Sequence, residues 1–197
     1  MRPHDILRLR PHAELIAEDP PAWVATALRS ARWVVVRRAQ IQGRLIPVGI
    51  RGADRSERFA ARIDRDAIAE TITPEALAAS TAARRQLAPF AALDDVARAA
   101  AQAGLVWGPT GSVGFELATG IAVVTAASDL DLVLRPARGH TRDDLAEFQR
   151  RVDLLGVRVD ATVESDGDAV ALREWLVSPA RALIKTPTGP RLGAFSW

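Results

Sequence analysis

Three aspartates fall where strand-like alternation would aim them the same way. In "SDLDLVL" (128–134), residues two apart share a face of an extended strand, so Asp129 and Asp131 oppose Leu130, Leu132 and Leu134. "VRVDATVE" (157–164) repeats the pattern, with Val157, Val159, Ala161 and Val163 on one face and Asp160 on the other. If the two strands are neighbours, about 4.8 Å apart, the carboxylates gather on one patch. Such a patch is unfavourable unless a cation neutralises it. Hard oxygen ligands select Mg2+ or Mn2+, held jointly with substrate phosphates. Asp129, Asp131 and Asp160 are therefore the expected catalytic and metal-ligating residues.

A glycine-rich stretch, "WGPTGSVGFELATG" (107–120), supplies the complement. A turn that ends at Gly111 and Ser112 and opens a helix aims backbone N–H groups and the positive helix end at an anion. Gly111 and Ser112 are thus expected to bind substrate phosphate. No Lys-Ser or Lys-Thr follows, which excludes a Walker A loop, and the glycine spacing (108, 111, 114, 120) does not fit a dinucleotide fingerprint.

Other cations are candidates of a lower order. Arg51, Arg55 and Arg58 lie in "GIRGADRSER" beside a predicted strand end, where guanidinium forks could grip phosphate, although a solvated surface explains them equally well. Lys185, the one lysine of the chain, sits on an apolar strand before "TPTGP" and is expected to contact phosphate. Glu116, one helical turn beyond Ser112, reads as an ordinary exposed helix position. The tryptophans are scattered at 23, 33, 107, 175 and 197 and read as packing residues.

These groups need elements to position them. "EDPPAWVATALRSA" predicts a helix with Asp19 as N-cap. "WVVVRR" and "LIPVGI" predict a hairpin, while "ERFAARID" fits either a strand or a helix. Alanine-rich helical sequence follows, with Pro74 at a helix start and Pro89 as a break. Beyond it come a helix over about 91–103, a strand at 105–108, a helix from Ser112 to Ala118 and the strand "DLDLVLR". An amphipathic helix ending at Gly156, the strand "VRVDATVE", a short helix "LREWLV" and a final strand "RALIKT" complete the series. Strands alternating with helices predict an α+β fold with a mixed sheet.

Composition bounds the function. The 197 residues, 48% hydrophobic and 25% charged, suit one compact domain or two small ones. Cysteine is absent, which rules out disulfides and thiolate zinc sites. The isoelectric point near 10.2 overstates the basic character: formal net charge is only +2. With no Tyr, no Cys and one Lys, almost nothing loses a proton between neutral pH and that point. No apolar run is long enough for a membrane span and no signal-peptide pattern opens the chain, so a cytoplasmic protein is expected.

The conjunction of a Gly-Ser turn opening a helix, an apolar strand bearing Asp-x-Asp, and a strand with one acid on the matching face resembles the nucleotidyltransferase superfamily that includes DNA polymerase β. The spacing of seventeen residues between Ser112 and Asp129 is longer than is common there, with "TGIAVVTAA" holding the extra length. More narrowly, "RPHDILRL", "IPVGIRGADRSERFA", "WGPTGSVGFELATG", "SDLDLVLR", "RVDATVES" and "LIKTPTGPRL", in that order, resemble the phosphoribosyl-dephospho-CoA transferases. The residue pattern marks off a small N-terminal α+β unit (1–82), and the resemblance implies that the rest is a nucleotidyltransferase-like catalytic domain (83–197) with a mixed sheet flanked by helices. It implies a Mg2+ or Mn2+ cofactor and triphosphoribosyl-dephospho-CoA as substrate. The implied acceptor is a serine of the acyl carrier subunit of malonate decarboxylase, with pyrophosphate released. Neither membrane nor nucleic acid is expected as a partner. Two other readings remain open: a metal-dependent nucleotidyltransferase acting on another small molecule, protein or RNA, and a non-catalytic nucleic-acid-binding module.

Overall fold

The structure is a computed structural model and describes residues 1–54, 56–80 and 85–197. Contacts divide the chain into two compact units, Met1–Thr73 and Pro74–Trp197. The boundary expected between 82 and 83 falls outside the described residues.

In the first unit, β-branched runs pair into an antiparallel sheet in the order β4-β3-β2-β1-β5. Its strands are β1 (Ile6–Leu9), β2 (Trp33–Val36), β3 (Leu45–Arg51), β4 (Arg58–Asp64) and β5 (Ile68–Ile72). "ERFAARID" resolves as strand β4, whose seven residues pair one by one with β3. Helix α1 (Ala22–Ala31) follows β1 and buries Val24 against Leu7, Val34, Ile46, Val48 and Ile63. Its N-cap is Pro21 rather than Asp19. Pro20 precedes a second proline, which disfavours the helical region at that residue, so the helix starts later than the acid suggests.

The second unit carries α2 (Pro74–Ala78), α3 (Ala88–Ala91), α4 (Leu93–Gln102), β6 (Val106–Pro109), α5 (Gly111–Thr119), β7 (Leu130–Arg135) and α6 (Arg142–Val152). Then come β8 (Val159–Ser165), β9 (Asp168–Ala171), α7 (Leu172–Val177), β10 (Ala182–Thr186) and β11 (Gly189–Gly193). Pro89 lies in the first turn of α3, where a missing N–H costs nothing. A capping box between Thr141 and Asp144 opens α6, and Arg150 and Arg151 lie in its last turn. Its C-cap is Asp153, so Gly156 lies beyond the helix.

The strands form a mixed sheet in the order β11-β10-β9-β8-β7-β6. Only β7 and β8 run parallel, joined by α6 as the crossover; the other neighbours are antiparallel. One face carries Leu130, Leu132, Leu134, Val159, Ala161 and Val163 into a core with Val96 and Ala100 of α4 and Leu145, Phe148 and Val152 of α6. Each fully buried leucine there stabilises the unit by about 1.5–3 kcal/mol. The opposite face holds the polar side chains. Among the described residues, no helix is long and apolar enough to cross a membrane.

Candidate active site

Parallel pairing puts Asp131 of β7 directly opposite Asp160 of β8, and Leu130 opposite Val159. Paired residues share a sheet face, so the two carboxylates leave the same side, with backbones about 4.8 Å apart. Both are half-buried, while their leucine and valine neighbours lie in the core. Asp129 stands one residue before β7 begins, outside the strand. Its neighbour Leu130 is fixed by an N–H donated to the Arg158 carbonyl at 2.9 Å.

The glycine turn meets this pair directly. Thr110 donates its N–H to the Asp131 carbonyl at 2.8 Å. Gly111 follows with φ +57°, a left-handed conformation that side chains disfavour, and a Cβ there would overlap the Asp131 carboxylate. Gly114, one turn on, has no room for a Cβ beside the Pro109 carbonyl, so α5 folds back tightly over the end of β6. Thr110 is the N-cap of α5 and makes no side-chain capping hydrogen bond, so no N-cap oxygen takes up the first-turn N–H groups around Ser112.

Arg158 lies among the acids. Its Nε donates to Asp160 Oδ1 at 3.1 Å. Its pKa is raised, first by that hydrogen bond and then by the charges of Asp160, Asp129 and Asp131. The three aspartates thus act on one guanidinium. Among the described residues no set of three or more acidic or histidine side chains stands close enough together to hold a metal ion. The donor chemistry nonetheless fits a hard cation: two carboxylates at paired strand positions, in a field that already draws a cationic side chain, leave coordination positions for phosphate oxygens.

The sequence divides along the same lines as the two structural units. A family model described as the phosphoribosyl-dephospho-CoA transferase MdcG N-terminal domain matches residues 2–74, and its C-terminal counterpart matches residues 76–194. The chain belongs to the phosphoribosyl-dephospho-CoA transferase family. Curated phosphoribosyl-dephospho-CoA transferases from Pseudomonas putida and Azotobacter vinelandii are 40% and 39% identical to it, each aligned over 100% of this chain and over 95% and 94% of their own lengths. One from Klebsiella pneumoniae is 40% identical over 100% of this chain and 96% of its own. No solved structure matches the chain.

In this member of the transferase family, Glu116 is not the exposed helix residue its position suggests. It is 8% exposed and accepts hydrogen bonds from Arg85 Nε at 2.5 Å, Arg85 Nη2 at 2.7 Å, and the N–H groups of Val123 at 2.7 Å and Val124 at 2.8 Å. Burial pushes its carboxyl up, but these donors and the Arg85 charge outweigh it and the pKa is lowered. Arg135 is a second buried centre: it pairs with Glu75 of α2 and with Glu164 of β8 at 2.7 Å, pinning α2 to the polar face. Arg158 had a legible signal, because it lies two residues before Asp160. Arg85 and Glu75 had none, since each depends on tertiary contact.

Within the second unit, Lys185 is not brought to the carboxylates. Lys185 is exposed on β10, with Ala169 and Pro190 as its strand partners. Through β9 it lines up with Glu164, four residues along β8 from Asp160 and two strands across. That is about 13 Å along the strands and about 10 Å across them. Arg51 and Arg58 face each other at one end of the β3–β4 hairpin in the first unit. Arg55 lies outside the described residues.

Proposed function

We propose that the chain transfers the 2'-(5''-phosphoribosyl)-3'-dephospho-CoA group from its triphosphoribosyl precursor to a serine of the malonate decarboxylase acyl carrier protein, in the cytoplasm. The observation that carries this reading is the pairing of Asp131 with Asp160 on parallel strands, with Gly111 packed against Asp131. A phosphate bound at the start of α5 lies next to carboxylates, an arrangement suited to phosphoryl-type transfer, which depends on positioning and charge neutralisation.

The serine oxygen forms a bond to the α-phosphorus as the bond from that phosphorus to the pyrophosphate oxygen breaks. Ser112 and the first-turn N–H groups of α5 hold the departing pyrophosphate. Gly111 carries no Cβ, which leaves the Asp131 carboxylate its place directly against the turn. Asp131 and Asp160 would hold Mg2+ or Mn2+, which when bound neutralises phosphate charge as a Lewis acid, and Asp129 adds its charge beside them. Asp160 serves either as a ligand or as the acceptor of the serine proton.

The test is the mass of the carrier subunit after incubation with this protein, triphosphoribosyl-dephospho-CoA and Mg2+. A gain equal to one prosthetic group is expected. An unchanged mass, with the serine available, rejects the proposal.

A further inference from the structure

Asp131 and Asp160 owe their placement to strand register, but Asp129 does not. It precedes β7, and the segment leading to it, residues 120–129, has neither helix nor strand. The sheet reaches it from one side only, through the Leu130 N–H on the Arg158 carbonyl at 2.9 Å, so something else must fix the chain before it. Two anchors do so. Near the acid, Thr125 donates its N–H to Ser128 Oγ at 3.0 Å and Ser128 donates its N–H to the Thr125 carbonyl at 3.1 Å, closing a small turn. Further back, the buried Glu116 carboxylate accepts the N–H groups of Val123 and Val124, and Arg85 donates to the Val124 carbonyl at 2.6 Å.

We infer that Glu116, braced by Arg85, is a positioning residue for Asp129. This rests on the transfer reaction proposed above. Glu116 sits one turn along α5 from Ser112, so the same helix presents the phosphate-binding turn and holds the segment that ends at Asp129. An ionised carboxylate is well suited to such bracing, because it accepts from a guanidinium fork and two amides together, and charge-assisted bonds of this kind are the stronger ones. A loop held this way keeps a reacting group within the fraction of an ångström that catalysis requires.

The test is a cycle of Glu116→Gln, Asp129→Asn and the double variant in the full chain, followed by kcat, KM for triphosphoribosyl-dephospho-CoA and the melting curve. Arg85→Gln serves as a second route to the same release. Glu116→Gln keeps the size of the side chain and an acceptor oxygen for the amides, but turns an amide N–H2 toward Arg85. We expect kcat to fall about tenfold with KM little changed, since misplacement by about 1 Å can cost 10²-fold. The double variant should then be no slower than Asp129→Asn alone, because residues acting as one unit are non-additive. Losses that multiply would overturn the assignment while leaving the transfer reaction intact. Asp129→Asn with full activity beside a slowed Glu116→Gln would also overturn it. A wild-type protein that transfers nothing would reject the reaction itself.

Discussion

Gly111 and Asp131 lie so close that a single methyl group on the glycine would overlap the Oδ2 oxygen of the aspartate. The turn proposed to meet phosphate and the strand that carries the acid are therefore one packed unit. Gly111→Ala must displace either the carboxylate or the turn, and it also places a side chain at φ +57°. The expected outcome is a stability loss of about 1–2 kcal/mol in urea unfolding together with a fall in transfer rate of about 100-fold. Wild-type kcat/KM in this variant would show that the contact is unimportant for the reaction.

Asp131→Asn separates charge from shape. The amide keeps the volume and an acceptor oxygen, so the fold should survive. Losing one preorganised charge commonly costs on the order of 10²–10³ in rate. Like charge facing Asp160 is relieved, so the melting temperature without added metal should equal or exceed that of the wild type. Both quantities are needed: an inactive protein that melts early would mark Asp131 as structural.

If Asp160 holds a divalent cation as proposed, Arg158, which donates to the same carboxylate, competes with that ion. Replacing the arginine by Gln removes the positive charge and the competitor together. Mn2+ binding, followed by calorimetry on the substrate-free protein, should tighten about fivefold, the worth of an exposed ion pair near 1 kcal/mol. Weaker or unchanged Mn2+ binding would show that the guanidinium and the ion do not share the site.

Glu116 gives the fold a dependence on pH. Its pKa is lowered in the folded chain, where burial acts to raise it and the hydrogen bonds from Arg85, Val124 and Val123 overcome that effect. Its contribution to stability is therefore fully present above the unfolded value of about 4.3 and is lost as pH falls through the folded value below it. Urea unfolding of wild type and Glu116→Gln should differ by about 1–2 kcal/mol at pH 7 and converge toward pH 3. A gap that persists in acid would contradict this.

The alternation in "DLDLVL" and "VRVDATVE" made β7, β8 and the Asp131–Asp160 face legible, because a half-buried strand writes its two faces into every second residue. The same rule overreached by one residue at Asp129, which the strand does not include. Strands β9 and β11 escaped for different reasons. "DAVA" is too short to show a period, and "GPRLG" reads as a turn, yet it pairs on one side only and so tolerates its glycines and Pro190. Strands β1 and β5 found their partners across the first unit, which local sequence does not disclose. Glu116 looked solvent-facing since Arg85 lies 31 residues away and the Val123–Val124 amides belong to a segment without helix or strand, whose path local sequence does not disclose.

The spacing of Asp131 and Asp160 is kept by amide hydrogen bonds between β7 and β8, and no side chain takes part in that measurement. Exchanging one aliphatic residue for another beneath the pair alters how firmly the unit resists unfolding, yet leaves the ruler between the two acids untouched. The proposed reaction centre is in this sense insulated: its dimensions belong to the polymer common to all proteins, and only its charges belong to this sequence.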